Sequence, residues 1–244
     1  MRLTRCHVDL PLSAGHTVLL PERAANHLTR VLRLRQGDPC VLFNGDGRDY
    51  PATLVEVGKR QVHARLDDAV VVDNESPLRI VLIQGIARGE KMDLILQKAT
   101  ELGVAEVVPV NGERTEVRLD AERAHKRVAH WRSVIESACE QSGRASIPAL
   151  AAPVALQAIG GHLPRTGLRL LLDPQGEHRL QALPDPADAT VVIAIGPEGG
   201  WSPRDREILH AAGFTGLRLG PRILRTETAG LAAIAALQAR CGDL

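Results

Sequence analysis

Apolar positions fall into two rhythms along this chain, and the rhythm changes near residue 75. Up to about residue 72 they form short runs divided by turn residues. Residues 3–8 and 17–20 are strand-like, and Pro21-Glu22 opens a helix through Leu34 with Ala24, Leu28, Val31 and Leu32 on one face. Gly37-Asp38 ends it. Residues 40–43 and 50–57 flank Asn44-Gly45-Asp46-Gly47, which predicts a hairpin because an Asn-Gly step supplies the positive φ of a tight turn. Gly58-Lys59 then turns into a strand over 61–66. Strands this closely spaced suggest a small barrel.

From Leu78 the runs lengthen. Residues 78–83 are almost continuously apolar, as in a strand covered on both faces. Residues 91–102 predict a helix, with Met92, Ile95, Leu96, Ala99 and Leu102 at helical spacing and Gly103 closing it. A strand over 104–110 follows, then a long helix from Asp120 to about Gln141 carrying Val128, Trp131, Ile135 and Ala138. Residues 148–165, rich in Ala, Gly and Pro, read as loop with a short helix. Residues 168–172, 191–195 and 214–219 are further strands, the first followed by Asp173-Pro174. Strands alternating with helices predict an α/β domain with a mostly parallel sheet. The polar stretch Asp73-Asn74-Glu75-Ser76-Pro77 has no apolar period and ends in proline, which predicts domains over 1–72 and 78–244 joined by 73–77.

The last two strands each enter a glycine loop followed by a helix, the place where open α/β sheets put their ligand sites. In the first, Gly196-Pro197-Glu198-Gly199-Gly200 precedes Trp201-Ser202-Pro203-Arg204-Asp205. Capping explains Ser202, Pro203 and Asp205. It does not explain three glycines around a glutamate, which expose peptide groups and let a planar ligand approach. The spacing is neither GxGxxG nor a P-loop, which disfavours a dinucleotide, a nucleotide-dependent oxidoreductase and a triphosphate. The second loop, 219–228, holds Arg222 and Arg225 with Glu227 as its one acid, and Thr226 is placed to cap the last helix. That helix is rich in Ala and Gly. It reads as a core helix, or as one whose Leu231, Ile234 and Leu237 stripe packs on a symmetry mate. Cys139-Glu140-Gln141-Ser142-Gly143-Arg144 is either an ordinary exposed helix end or a polar cluster aimed at a ligand.

Composition narrows the class. Aromatics make up 2% of the chain, so its core rests on Leu, Val, Ile and Ala. A net charge of +1 excludes a global basic field, but residues 1–35 set Arg2, Arg5, Arg23, Arg30, Arg33 and Arg35 against only Asp9 and Glu22. Arg23, Arg30 and Arg33 sit on or beside one helix, either as a solvated face or as a phosphate-contacting surface. Cys6, Cys40, Cys139 and Cys241 form no CxxC and, with no signal peptide, fit reduced thiols of a cytoplasmic protein. No His/Cys spacing suits zinc, so no metal is expected, and no apolar run reaches the roughly 20 residues that cross a bilayer.

Residues 196–200, 219–229 and 139–144, together with 27–33, 43–47 and 91–103, closely resemble the signatures of the bacterial 16S ribosomal RNA uracil-N3 methyltransferases, the RsmE family of the SPOUT superfamily. The similarity runs nearly the full length, with several motifs in the same order. It implies a SPOUT-type α/β domain whose C-terminal part is threaded into a deep trefoil knot, after a PUA-like β-barrel that grips RNA. It implies a homodimer with the pocket near its interface, which favours the dimer reading of the last helix. It implies S-adenosylmethionine held by Leu172, Gly196, Gly199, Leu219, Gly220, Ile223, Leu224, Arg225 and Ala229, with Glu198 and Thr228 nearby. Arg225 is expected to contact the target nucleotide, with Glu140 and Glu198 as candidate proton acceptors unless solvent suffices. Arg5, Arg23, Arg30, Arg33, Arg114, Gln141, Arg144 and Arg222 are expected to contact RNA. The expected substrate is 16S ribosomal RNA in the assembled small subunit. The alternatives are a SPOUT enzyme acting on a ribose 2′-hydroxyl or guanine N1, and a non-catalytic assembly factor. The Glu-Gln-x-Gly-Arg cluster and the N-terminal barrel argue against the other SPOUT enzymes.

Overall fold

The computed structural model describes residues 3–58, 61–117 and 121–244. Arg2 of the basic patch, Lys59 of the predicted turn and Asp120 at the predicted helix start lie outside the described residues. The chain divides into two compact units, residues 1–75 with 136–147, and 76–135 with 148–244.

The first unit is a sheet of six short strands, β1 (Arg5–His7), β2 (Thr17–Leu19), β3 (Pro39–Phe43), β4 (Arg48–Val57), β5 (Val62–Leu66) and β6 (Val70–Val71). Their order is β1-β3-β4-β5-β2, with β6 also on β4. All neighbours are antiparallel except β1 and β3. Side chains two apart along β4 point inward, so Tyr50, Ala52 and Leu54 join Cys6, Leu28, Cys40, Leu42, Ala64 and Leu66 in one core. The β3–β4 hairpin turns where Gly45 (φ 92°) and Gly47 (φ 82°) adopt positive φ.

The helix predicted through Leu34 is shorter. Helix α1 (Glu22–Asn26) passes into a π-helical turn at His27–Val31. Leu34 N–H then donates to the Leu28 carbonyl at 2.9 Å across Arg33, whose φ is 60°. This is the left-handed close that usually takes glycine. The wider turn rotates Val31 and Leu32 off the inner face, leaving them 66% and 39% exposed.

Residues 136–147, read from sequence as part of the second domain, belong to the first unit. Helix α3 (Ala121–Ser142) is continuous, so its apolar period carries no sign of the division. Its end is bound into the first unit: His7 N–H donates to Glu140 Oε1 at 2.9 Å and Asn74 Nδ2 to the Gly143 carbonyl at 3.0 Å.

The second unit is a sheet of eight strands, β7 (Arg79–Gly85), β8 (Val104–Asn111), β9 (Ala149–Leu150), β10 (Val154–Ala155), β11 (Leu168–Leu172), β12 (His178–Arg179), β13 (Thr190–Ile195) and β14 (Thr215–Arg218). The order is β10-β8-β7-β13-β11-β14-β12 with β9 on β8, and every pairing is parallel. Central β13 is buried throughout, which is why its sequence reads as an unbroken apolar run. Helices α2 (Glu90–Glu101), α4 (Pro203–Ala211) and α5 (Thr226–Cys241) flank it.

α5 packs on α2 and β13. Its Gln238, fully buried, donates to the Leu102 carbonyl at 2.9 Å and accepts from Ser76 Oγ at 2.7 Å. Gly103, after α2, has φ 83°, and a Cβ there would stand 2.7 Å from Gln238 Nε2. Of the Leu231, Ile234 and Leu237 stripe, Ile234 and Leu237 are buried inside the unit and Leu231 is half-buried. No helix among the described residues is long and apolar enough to cross a membrane.

Candidate active site

Strands β11, β13 and β14 are neighbours in the sheet, and the loops leaving their carboxyl ends meet around one cavity of about 500 Å³. That volume suits a small molecule of nucleoside size. The apolar wall comes from Leu172, Ile195, Leu217, Leu219, Leu224 and Ala229. The glycine loops present peptide groups to the remainder.

The first loop is folded tightly on itself. Gly200 N–H donates to the Pro197 carbonyl at 2.8 Å, and a Cβ on Gly196 would lie 3.1 Å from the Gly200 backbone. A Cβ on Gly85, at the end of β7, would stand 2.5 Å from Pro197 N, so the loop rests on bare strand backbone. Its far end is the predicted α4 cap. Ser202 Oγ accepts from Asp205 N–H at 3.0 Å, and the Asp205 carboxylate accepts from Ser202 N–H at 3.1 Å. Asp205, fully buried, also accepts from Glu113 N–H, so it is consumed by structure.

Glu198 is an anchor. It accepts from Arg88 N–H at 3.0 Å and from Lys91 Nζ at 3.1 Å. Partial burial alone would raise its carboxyl, but those N–H groups, its own backbone N–H and the Lys91 ammonium outweigh it and hold it below the ordinary glutamate range. Arg114 braces the same loop through a 3.0 Å bond to the Gly199 carbonyl.

The second loop turns at Gly220 (φ 81°) and ends at Thr226. The sequence places Thr226 as the cap of α5, but the N-cap is Arg225. Thr226 is the first residue of the helix, and its hydroxyl donates to the Gly196 carbonyl at 2.6 Å. The loop after β11 adds Asp173, paired with Arg206 at 2.8 Å.

Leu172, Gly196, Glu198, Gly199, Leu219, Gly220, Ile223, Leu224, Arg225 and Ala229 all line the cavity, as do Arg114 and Arg222. Thr228 does not. It lies two residues past Thr226, on the exposed side of α5. Glu140 is not among the lining residues either; within the first unit it accepts from the His7 amide.

Two expected RNA contacts are corrected. Arg5 pairs with Asp49, lies 4.7 Å over the Phe43 ring and is buried. Arg144, 5% exposed, is held by Glu75, with Nε at 3.0 Å from Oε1. Both serve the interior of the first unit because a guanidinium can satisfy several buried acceptors at once. Arg23 pairs with Glu136 at 2.9 Å but keeps its side chain 69% exposed. Gln141, Arg30 and Arg33 are exposed.

Thr226, Asp173, Glu227 and Trp201 also line the cavity, beyond the residues expected from sequence. Asp173-Pro174 directly after a buried strand carried the same signal as the two glycine loops. Trp201 is buried, and among the described residues its Nε1 has no acceptor and Glu227 Oε2 no donor.

Comparison with known proteins shows the family. A family model described as an RNA methyltransferase domain matches residues 74–238, and one described as an RNA methyltransferase PUA domain matches residues 20–67. The chain is 30% identical to the ribosomal RNA small subunit methyltransferase E of Buchnera aphidicola subsp. Schizaphis graminum, over 100% of this chain and 98% of the relative. Among solved structures, a putative methyltransferase of Legionella pneumophila with bound S-adenosylmethionine superimposes with a TM-score of 0.95 at 39% identity, covering 100% of both chains. The ribosomal RNA small subunit methyltransferase E of Neisseria gonorrhoeae, bound to S-adenosylmethionine, does so at 0.92 and 39%, again over 100% of both.

Proposed function

The chain belongs to the RNA methyltransferase family, and from that premise we propose that it methylates N3 of a uracil in 16S ribosomal RNA, with S-adenosylmethionine as donor. One observation carries the proposal: a nucleoside-sized cavity walled by two glycine loops, in a chain similar over its whole length to methyltransferases solved with that cofactor.

The residues suit the cofactor. Gly196 leaves little room for a side chain, and peptide groups beside Leu172, Gly196, Leu219, Gly220 and Ile223 to Arg225 offer donors and acceptors to an adenosyl group. When bound, the cofactor supplies an electrophilic methyl group on a sulfonium. The chain's own task is to hold the base in line with that methyl and to stabilise charge developing on the uracil oxygens. Arg225, exposed and lining the cavity, is suited to the second task, and Arg222 to an adjacent phosphate. The PUA domain would bind the RNA through Arg23, Arg30 and Arg33.

The threaded C-terminal end and the homodimer belong to the same proposal. Support for threading comes from the strand order: β14 lies outside β11, while α5 crosses back to α2 and β13. Light scattering tests the dimer. The activity is tested by incubating the protein and labelled cofactor with small subunits from a strain lacking it, then mapping the modified nucleoside by mass. N3-methyluridine is expected, and a methyl on ribose or guanine overturns the proposal.

A further inference from the structure

We propose that Glu227 takes the N3 proton from the target uracil. The inference rests on the proposed uracil-N3 reading of the cavity.

Among the described residues three with carboxylate side chains line that cavity, Asp173, Glu198 and Glu227. Two are committed. Asp173 is paired with Arg206 at 2.8 Å, and Glu198 is bound by the Arg88 amide and the Lys91 ammonium. Each of these carboxylates already has a partner in the protein. Glu227 is different. Its Oε2 is buried and has no hydrogen-bond partner among the described residues. A buried carboxylate oxygen without a donor is costly, and at a binding site the missing donor is expected from the ligand.

The position of Glu227 is well determined. It is the second residue of α5, directly after Thr226, whose hydroxyl is tied to Gly196 across the cavity. It also follows Arg225, so a cation for the uracil oxygens and an acceptor for the N3 proton stand two residues apart on one helix start. In the step, the N3–H bond breaks towards the Glu227 carboxylate, and the freed pair on N3 forms the bond to the methyl carbon. The carbon–sulfur bond breaks with its pair left on sulfur as a neutral thioether. The carboxylic acid so formed releases its proton to water.

The test uses the full chain, small subunits as substrate, and E227Q with E227D. E227Q is expected to lower kcat by about 10²-fold or more at neutral pH. Its cofactor affinity by calorimetry is expected to stay unchanged, and its rate to climb with pH as the uracil ionises in solution. RNA carrying 5-fluorouracil, whose N3 proton is more acidic, is expected to restore part of the lost rate in E227Q. E227D, which keeps a carboxylate, is expected to retain more activity than E227Q. A fall in cofactor affinity matching the fall in rate would assign Glu227 to the cofactor and overturn the proposal, as would an unchanged kcat. If the wild-type protein itself forms no N3-methyluridine, the functional reading fails instead, and the two failures are told apart in one assay.

Discussion

The Thr226 hydroxyl donates to the Gly196 carbonyl at 2.6 Å and accepts from Gln84 Nε2 at 3.1 Å. One side chain therefore joins the start of α5, the first glycine loop and the end of β7. Thr226→Val keeps the shape and deletes the hydroxyl, leaving a carbonyl and an amide short of a partner. The expected cost is about 1–3 kcal/mol in urea denaturation. Cofactor affinity should fall as well, because the two cavity loops lose their link. Full stability in the variant would show that the bond is replaced by water.

Gly196 and Gly220 are both glycine for different reasons, and the difference is measurable. A Cβ on Gly196 would press on the Gly200 and Trp201 backbone at 3.1 Å, whereas Gly220 has open space but φ 81°. Gly196→Ala should displace the loop and weaken cofactor binding strongly by calorimetry. Gly220→Ala should cost about 1–2 kcal/mol of stability from the left-handed conformation, with a smaller change in affinity. The reverse order would move the cofactor away from the first loop.

Much of this site is legible in sequence because it depends on backbone. Buried strands read as apolar runs, and the loop glycines stand at their ends. The side-chain choices are less legible. Thr226 looks like a cap, yet α5 begins at it and its hydroxyl points to a residue 30 positions earlier. Arg144 looks like a surface cation, yet Glu75 takes it inside. Long-range pairing decides both, and no local pattern encodes it. The division of α3 is hidden for the opposite reason: its local pattern is uniform across the boundary.

The tie between Glu198, Lys91 and the Arg88 amide should give the loop a pH-dependent stability. The Glu198 carboxyl is held below its ordinary value of 4.5. A depressed carboxyl contributes stability that is fully present above the unfolded value and is lost as pH falls through the folded one. Glu198→Gln should therefore be less stable than wild type at pH 7, with the difference closing below about pH 4. Urea midpoints across pH 3–7 read this directly, and a constant offset would mean that the charge of Glu198 contributes nothing.

Arg144 separates a structural arginine from an RNA-binding one. Arg144→Met removes the partner of Glu75 but keeps much of the buried stem. Because Glu75 is 35% exposed, its carboxylate can partly rehydrate, so the expected loss is about 1–3 kcal/mol. The salt dependence of RNA binding should stay as in wild type. A shallower dependence would return Arg144 to the RNA surface.

Arg30 and Arg33 make the opposite case. Both are exposed, neither is ion-paired among the described residues, and they flank Val31 and Leu32, which the π-helical turn pushes outward. Each phosphate contact contributes roughly 0.7–0.9 to the slope of log K against log salt. Removing both should therefore make the slope shallower by roughly 1.4–1.8. The choice of replacement guards against a trivial outcome. Arg33 has φ 60°, so Arg33→Gly relieves about 1–2 kcal/mol of left-handed strain, and Arg30→Ala changes an exposed helical site. The double variant is thus expected to be at least as stable as wild type while binding 16S ribosomal RNA more weakly. A loss of affinity could not then be ascribed to unfolding. If binding to the RNA, titrated at several salt concentrations, keeps the wild-type slope, this basic turn plays no part in RNA recognition.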